Sequence, residues 1–138
     1  MPLHIVKLCV GVSEIQQLAD YQKVRLKENK RIFHVTRMVP RRQSEVLDGG
    51  SLYWVMRGKI LCRQQLTDIE VFTDPEGIRR CRLMLDTELV PVRPFPRRAF
   101  QGWRYLKHED TSPDLTMAER EGDIPPEMRA ELIELGLL

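Results

Sequence analysis

The chain has no Cys-x-x-C pair, no glycine-rich phosphate loop, no nucleophile elbow and no long apolar run. Each absence removes a class of protein. A membrane span needs about 18 consecutive apolar residues, and no window approaches that length. The apolar stretch at residues 3–8 is interrupted by Lys7, and no small-residue cleavage site follows it. A signal peptide is therefore not expected, and a cytoplasmic location is the default. The three cysteines, Cys9, Cys62 and Cys81, are isolated from one another in apolar or strand-like surroundings, which suits buried, reduced, inert thiols. His4, His34 and His108 are equally far apart, with no cysteine or carboxylate partner nearby. Ligand spacing for a metal is missing, so neither a metal nor a cofactor is expected. No internal repeat or low-complexity segment breaks the chain.

What is present describes an ordinary globular domain. At 138 residues, with 42% hydrophobic and 30% charged residues, the chain can bury one real core. Its net charge of +2 hides an uneven distribution. Residues 1–108 hold 20 Lys/Arg against 11 Asp/Glu, whereas residues 109–138 hold 2 against 9. We read a basic α+β domain over 1–108 and an acidic tail over 109–138. A basic surface of this kind can meet phosphates, with the tail screening it when it is unoccupied.

Local patterns place the elements. Leu3 to Val10 is a strand closed by Gly11, and Ser13 is the expected cap of a helix whose inner stripe is Ile15, Leu18, Tyr21 or Gln22, Arg25 and Leu26, with Val24 beside it. Arg31 to Val39 reads as a second strand, and because neither of its faces is cleanly polar it is expected to be central. Arg41 to Leu47 is a short helix stopped by Asp48-Gly49-Gly50. A hairpin then turns at Gly58, and a second turns at Asp74-Pro75-Glu76-Gly77, where proline sets φ and glycine takes a positive one. Pro91, Pro94 and Pro96 force an extended crossing. Pro125 and Pro126 open a short amphipathic C-terminal helix carrying Met128, Leu132, Ile133 and Leu135. Two early helices among consecutive strands imply an α+β fold with a mostly antiparallel sheet curled into a small barrel.

Two stretches carry the candidate ligand chemistry. Around the first hairpin stand Tyr53, Trp54, Lys59 and Arg63; after the prolines come Arg97, Arg98, Gln101, Trp103, Arg104 and Lys107 among Phe100 and Tyr105. Cations interleaved with aromatics are the pattern of a surface that neutralises phosphates and stacks bases. His34, Thr36 and Arg37 would add polar contacts at the floor of a cleft, since such groups in a strand need hydrogen bonds or an opening. The leading expectation is a binding module for RNA or a nucleotide-like anionic ligand on a basic, aromatic-lined concave face. The alternatives are an enzyme acting on a small anionic or modified-nucleotide substrate with His34 as acid or base, and an interaction module that docks through the C-terminal helix.

Four segments together carry a resemblance: residues 3–11, His34-Val35-Thr36-Arg37-Met38, residues 49–55 and residues 100–106, with the terminal Leu135-Gly136-Leu137-Leu138. They resemble an uncharacterised, mainly alphaproteobacterial family known as a domain of unknown function, over nearly the whole chain. That resemblance implies no activity. More weakly, Gly58-Lys59 followed by Arg63 is similar to the Gly-x-Lys-x-x-Glu-x-Arg pattern of ASCH modules, and Tyr53-Trp54 to EVE modules. Both belong to the PUA-like group, which implies a PUA-like pseudo-barrel. Here Lys59 follows Gly58 directly, and Leu61 or Cys62 takes the place of the acidic residue. The likeness therefore implies binding rather than hydrolysis.

Overall fold

The computed structural model describes residues 2–98 and 100–116, and the expected C-terminal helix lies outside them. In chain order the elements are β1 (Leu3–Leu8), α1 (Ile15–Asn29), β2 (Ile32–Thr36), α2 (Gln43–Val46) and β3 (Ser51–Met56). They continue with β4 (Lys59–Thr73), β5 (Arg79–Leu85), β6 (Val90–Pro96), β7 (Trp103–Lys107) and a 3-10 turn at His108–Asp110. The fold is α+β and mostly sheet.

The seven strands run β2-β5-β4-β3-β1-β7, with β6 attached to β4 outside that path. The sheet is mixed: β1 lies parallel to β3, and the other pairings are antiparallel. A parallel neighbour needs a long crossover, and here α1, β2 and α2 supply it. Strand pairing does not close the sheet, so the expected barrel stops short. Its two ends meet instead through side chains. The Trp103 indole N–H donates to the Met38 carbonyl at 2.7 Å, and the Tyr105 hydroxyl accepts from the Arg41 and Arg42 amides at 3.0 and 3.1 Å. Against expectation β2 is an end strand, paired with β5 alone. Its mixed faces come from α1 packing beside it rather than from a central place.

Local chemistry explains the joints. Gln17 Oε1 accepts from the Ser13 and Glu14 amides, so the cap of α1 sits at Glu14, one residue beyond the expected Ser13. The β3–β4 hairpin turns on Arg57 and Gly58 with φ of 52° and 76°, the pair of positive values a tight two-residue turn requires. In the next turn Asp74 accepts from the Glu76 and Ile78 amides at 2.9 Å each and holds Arg80 at 2.6 Å. The proline-led segment is β6, and its prolines are tolerated because it lies off the main path of the sheet.

Alternation along β1 and β3 sorts side chains into two cores. Ile5, Leu52, Trp54 and Met56 face α1 and β5, while Val6, Tyr53, Val55 and Ile60 form a smaller cluster on the other side with Val92 and Leu106. All three thiols are buried. Burial raises the Cys9 thiol to about 11 and pushes Cys62 further still. In the native full-length chain a thiol-exchange reagent is therefore expected to label none of the three quickly, with all three reacting once denaturant is added. Rapid native labelling of Cys62 would contradict this packing.

Candidate ligand-binding site

A concavity of about 680 Å³ lies along β6, the end of β7 and the segment after the 3-10 turn. Ile60 and Leu106 give it an apolar lining, because both belong to the smaller core cluster. Three cations line it: Arg93 from β6, Arg97 just beyond β6 and Lys107 at the end of β7. Glu109 and Asp110 also border it and offset part of that charge. Phe95 faces this groove with 55% of its surface exposed, an unusual position for so large an apolar ring. Arg97 and Arg104 both lie over the ring of Phe100, at 5.3 and 5.2 Å, so Arg104 stands beside the same basic edge.

Of the candidates from sequence, the structure gathers Lys59, Arg97 and Arg104 at this edge. Lys59 opens β4 opposite Pro96, the residue before Arg97. Arg98 and Gln101 are exposed in the β6–β7 connection. The tryptophans go elsewhere. Trp54 is 3% exposed and donates to Gln64 Oε1 at 3.2 Å, and Trp103 is 4% exposed with its N–H on Met38. Neither indole offers an open face to a base, which corrects the stacking role given to them. The reason is parity: both sit in the row that faces the main core. Tyr53 lies on the opposite face but is buried edge-on to His4, 5.2 Å between centroids, and burial raises its phenol.

Arg63 is also taken. Its guanidinium makes two hydrogen bonds with the Asp114 carboxylate, both 2.7 Å, and a third with Ser51 Oγ at 3.1 Å. That fork ties residues 111–115 onto the sheet, helped by the Leu115 amide donating to the Pro91 carbonyl at 3.0 Å. A ligand phosphate would have to displace Asp114.

His34, Thr36 and Arg37 do not reach the groove. His34 stands edge to face with Trp54 at 5.4 Å, and Thr36 is buried in the row next to it, while Arg37 is exposed beyond β2. Burial lowers the His34 imidazole to about 4, with Lys7 and Arg25 adding to the effect. Its Nε2 is sealed from solvent without a hydrogen-bond partner.

Not every residue that lines the groove is visible as a candidate in the sequence. Lys107 belongs to the interleaved cations that the sequence shows after the prolines, whereas Arg93 and Phe95 carry no signal there beyond that of an extended crossing. Lys7 lies outside the groove, yet Leu3, Ile5, Lys7 and Cys9 share one row of β1, and a lysine in an otherwise apolar row is a visible signal. It pairs in register with both Trp54 and Trp103, and burial lowers its ammonium. Among the described residues no group of three or more acidic, histidine or cysteine side chains could hold a metal ion. No helix of the described residues is long and apolar enough to cross a membrane.

The model of one protein family, described as a protein of unknown function (DUF1489), matches residues 5–138. No curated protein and no solved structure matches the chain.

Proposed function

The chain belongs to the DUF1489 family of proteins of unknown function, and we propose that it is a binding module for a phosphate-bearing, nucleotide-like ligand, RNA included. The supporting observation is the groove that Arg93, Arg97 and Lys107 line together with the exposed ring of Phe95. The cations meet phosphate oxygens, and Phe95 takes over the stacking that the buried indoles cannot perform. The PUA-like pseudo-barrel is the finer fold reading that goes with this function. It draws support from the way Trp103 and Tyr105 bridge the sheet's two ends.

The test is anisotropy of a labelled single-stranded RNA with the full chain over a range of salt. Affinity is expected to fall steeply as salt rises, since each neutralised phosphate releases a counterion. Arg97→Ala and Lys107→Ala should each reduce the logarithmic salt slope by about 1. Phe95→Ala should weaken binding by about tenfold or more with the slope unchanged, as loss of one stacked base does. Salt-insensitive binding, or slopes identical in all variants, would reject the proposal.

A further inference from the structure

Between α1 and β2 lies a separate cleft of about 190 Å³ that shares no lining residue with the basic groove. For scale, an apolar cavity of about 150 Å³ admits a benzene ring. Its polar lining is largely satisfied internally. Gln22 and Gln64 exchange hydrogen bonds of 2.9 and 2.7 Å, and the Trp54 N–H donates to the same Gln64. Leu18 and Phe33 provide apolar walls.

The charge in this cleft is unbalanced. Arg25 lines it, donating to the Tyr21 hydroxyl at 2.7 Å and lying 5.0 Å from that ring, and no carboxylate among the described residues pairs with it. His34 lines it as well, with its Nε2 unpartnered, and the charges acting on that imidazole are two cations, Lys7 and Arg25. Lys7 has no ion-pair partner among the described residues either. Of the two cations only Arg25 lines the cleft, so it presents one half-buried guanidinium beside a neutral histidine and apolar walls, which a single negative charge would balance. The cavity beside Arg63 differs, because Asp114 already supplies its anion.

We propose that this cleft is a second binding site, for a small monocarboxylate with a flat or branched apolar body. The carboxylate sits on Arg25, whose planar fork suits it, and the body lies between Leu18, Phe33 and Trp54.

The experiment follows the amide and indole signals of the isotope-labelled full chain during titration with benzoate, isovalerate and uncharged benzyl alcohol. Benzoate or isovalerate is expected to move the Trp54 indole signal and the amides around His34 to saturation at millimolar concentrations. Benzyl alcohol should bind at least about tenfold more weakly, lacking the charged hydrogen bonds. Arg25→Gln should reduce the acid to the alcohol's level, and Leu18→Trp, which fills the cleft, should remove both. Arg97→Ala should leave carboxylate binding unchanged, so failure here and failure of the nucleotide groove are told apart. Signals that stay put with both acids, or an acid affinity indifferent to Arg25→Gln in a folded variant, would overturn the proposal.

Discussion

Gly50→Ala is expected to destabilise the protein by about 4 kcal/mol or more, lowering its melting temperature by roughly 10–20 °C. A Cβ at this position would stand 2.2 Å from the Val46 carbonyl oxygen and 2.3 Å from that of Leu3. Both are backbone atoms in fixed elements, so no side-chain rotation relieves the clash. The Gly50 amide donates to the Val46 carbonyl at 3.0 Å, and its own carbonyl accepts from Leu66 at 3.0 Å. The end of α2, the start of β1, the entry to β3 and the middle of β4 therefore converge on one residue without a side chain. Gly49→Ala is the control. Its φ is 86° but nothing lies within 4 Å of the added carbon, so only the backbone cost of about 1–2 kcal/mol applies. Denaturant melts of the two variants decide the matter: equal losses would mean that the close approach at Gly50 is not what holds these elements together.

Acidification is the second large effect. His4 and His34 each have their imidazole lowered from 6.5 to about 4, in both cases first by burial. For His4 the secondary causes are His108 and Arg63. The hydrogen bonds explain what protonation breaks. The Ser51 amide donates to His4 Nδ1 at 3.0 Å, so His4 carries its proton on Nε2 and donates to His108 Nδ1 at 2.9 Å. A second proton on His4 would point at the Ser51 N–H. The unfolded chain binds these protons near pH 6.5 and the folded chain only near 4, so stability is full above about 6.5 and falls as pH drops through the interval. Each histidine accounts for at most about 3 kcal/mol. Asp74, held below the usual carboxylate range first by its hydrogen bond to Arg80, loses its contribution only at the lower edge of this window or beneath it. Urea melts at successive pH values check the profile. His4→Gln and His34→Asn should each flatten it, and a wild-type curve level from 7 to 4.5 would refute the buried, neutral assignment.

How far the sequence could be read depended on how far apart the deciding atoms lie. Where a few neighbours settle the outcome, the reading and the structure agree. Asp74 to Gly77 turn because Asp74 reaches its own next amides, Gly58 turns because it tolerates a positive φ, and α1 keeps Ile15 and Leu18 inward with Gln22 rather than Tyr21 beside them, while Val24 and Leu26 stay exposed. The continuity of β4 over Lys59–Thr73, through register shifts near Ile60 and Leu66, is less visible, since it comes from pairing with three different partners along its length. The candidate groove was legible only in its cations. Arg97 and Arg104 do share an edge, but Phe95 rather than a tryptophan presents the open ring.

Composition, turn chemistry and hydrophobic period by themselves determined an α+β domain with two helices in its first half and hairpins at the expected places. Folding in three dimensions alone decided that β1 would lie parallel to β3, that β2 would end the sheet, and that both indoles would face inward. It also assigned Arg63 to a carboxylate 51 residues away. The physical reason is that a period of two assigns a side chain to a face but not which face meets the core. That choice belongs to strand partners distant in the chain, whose pairing depends on the packing of the whole domain.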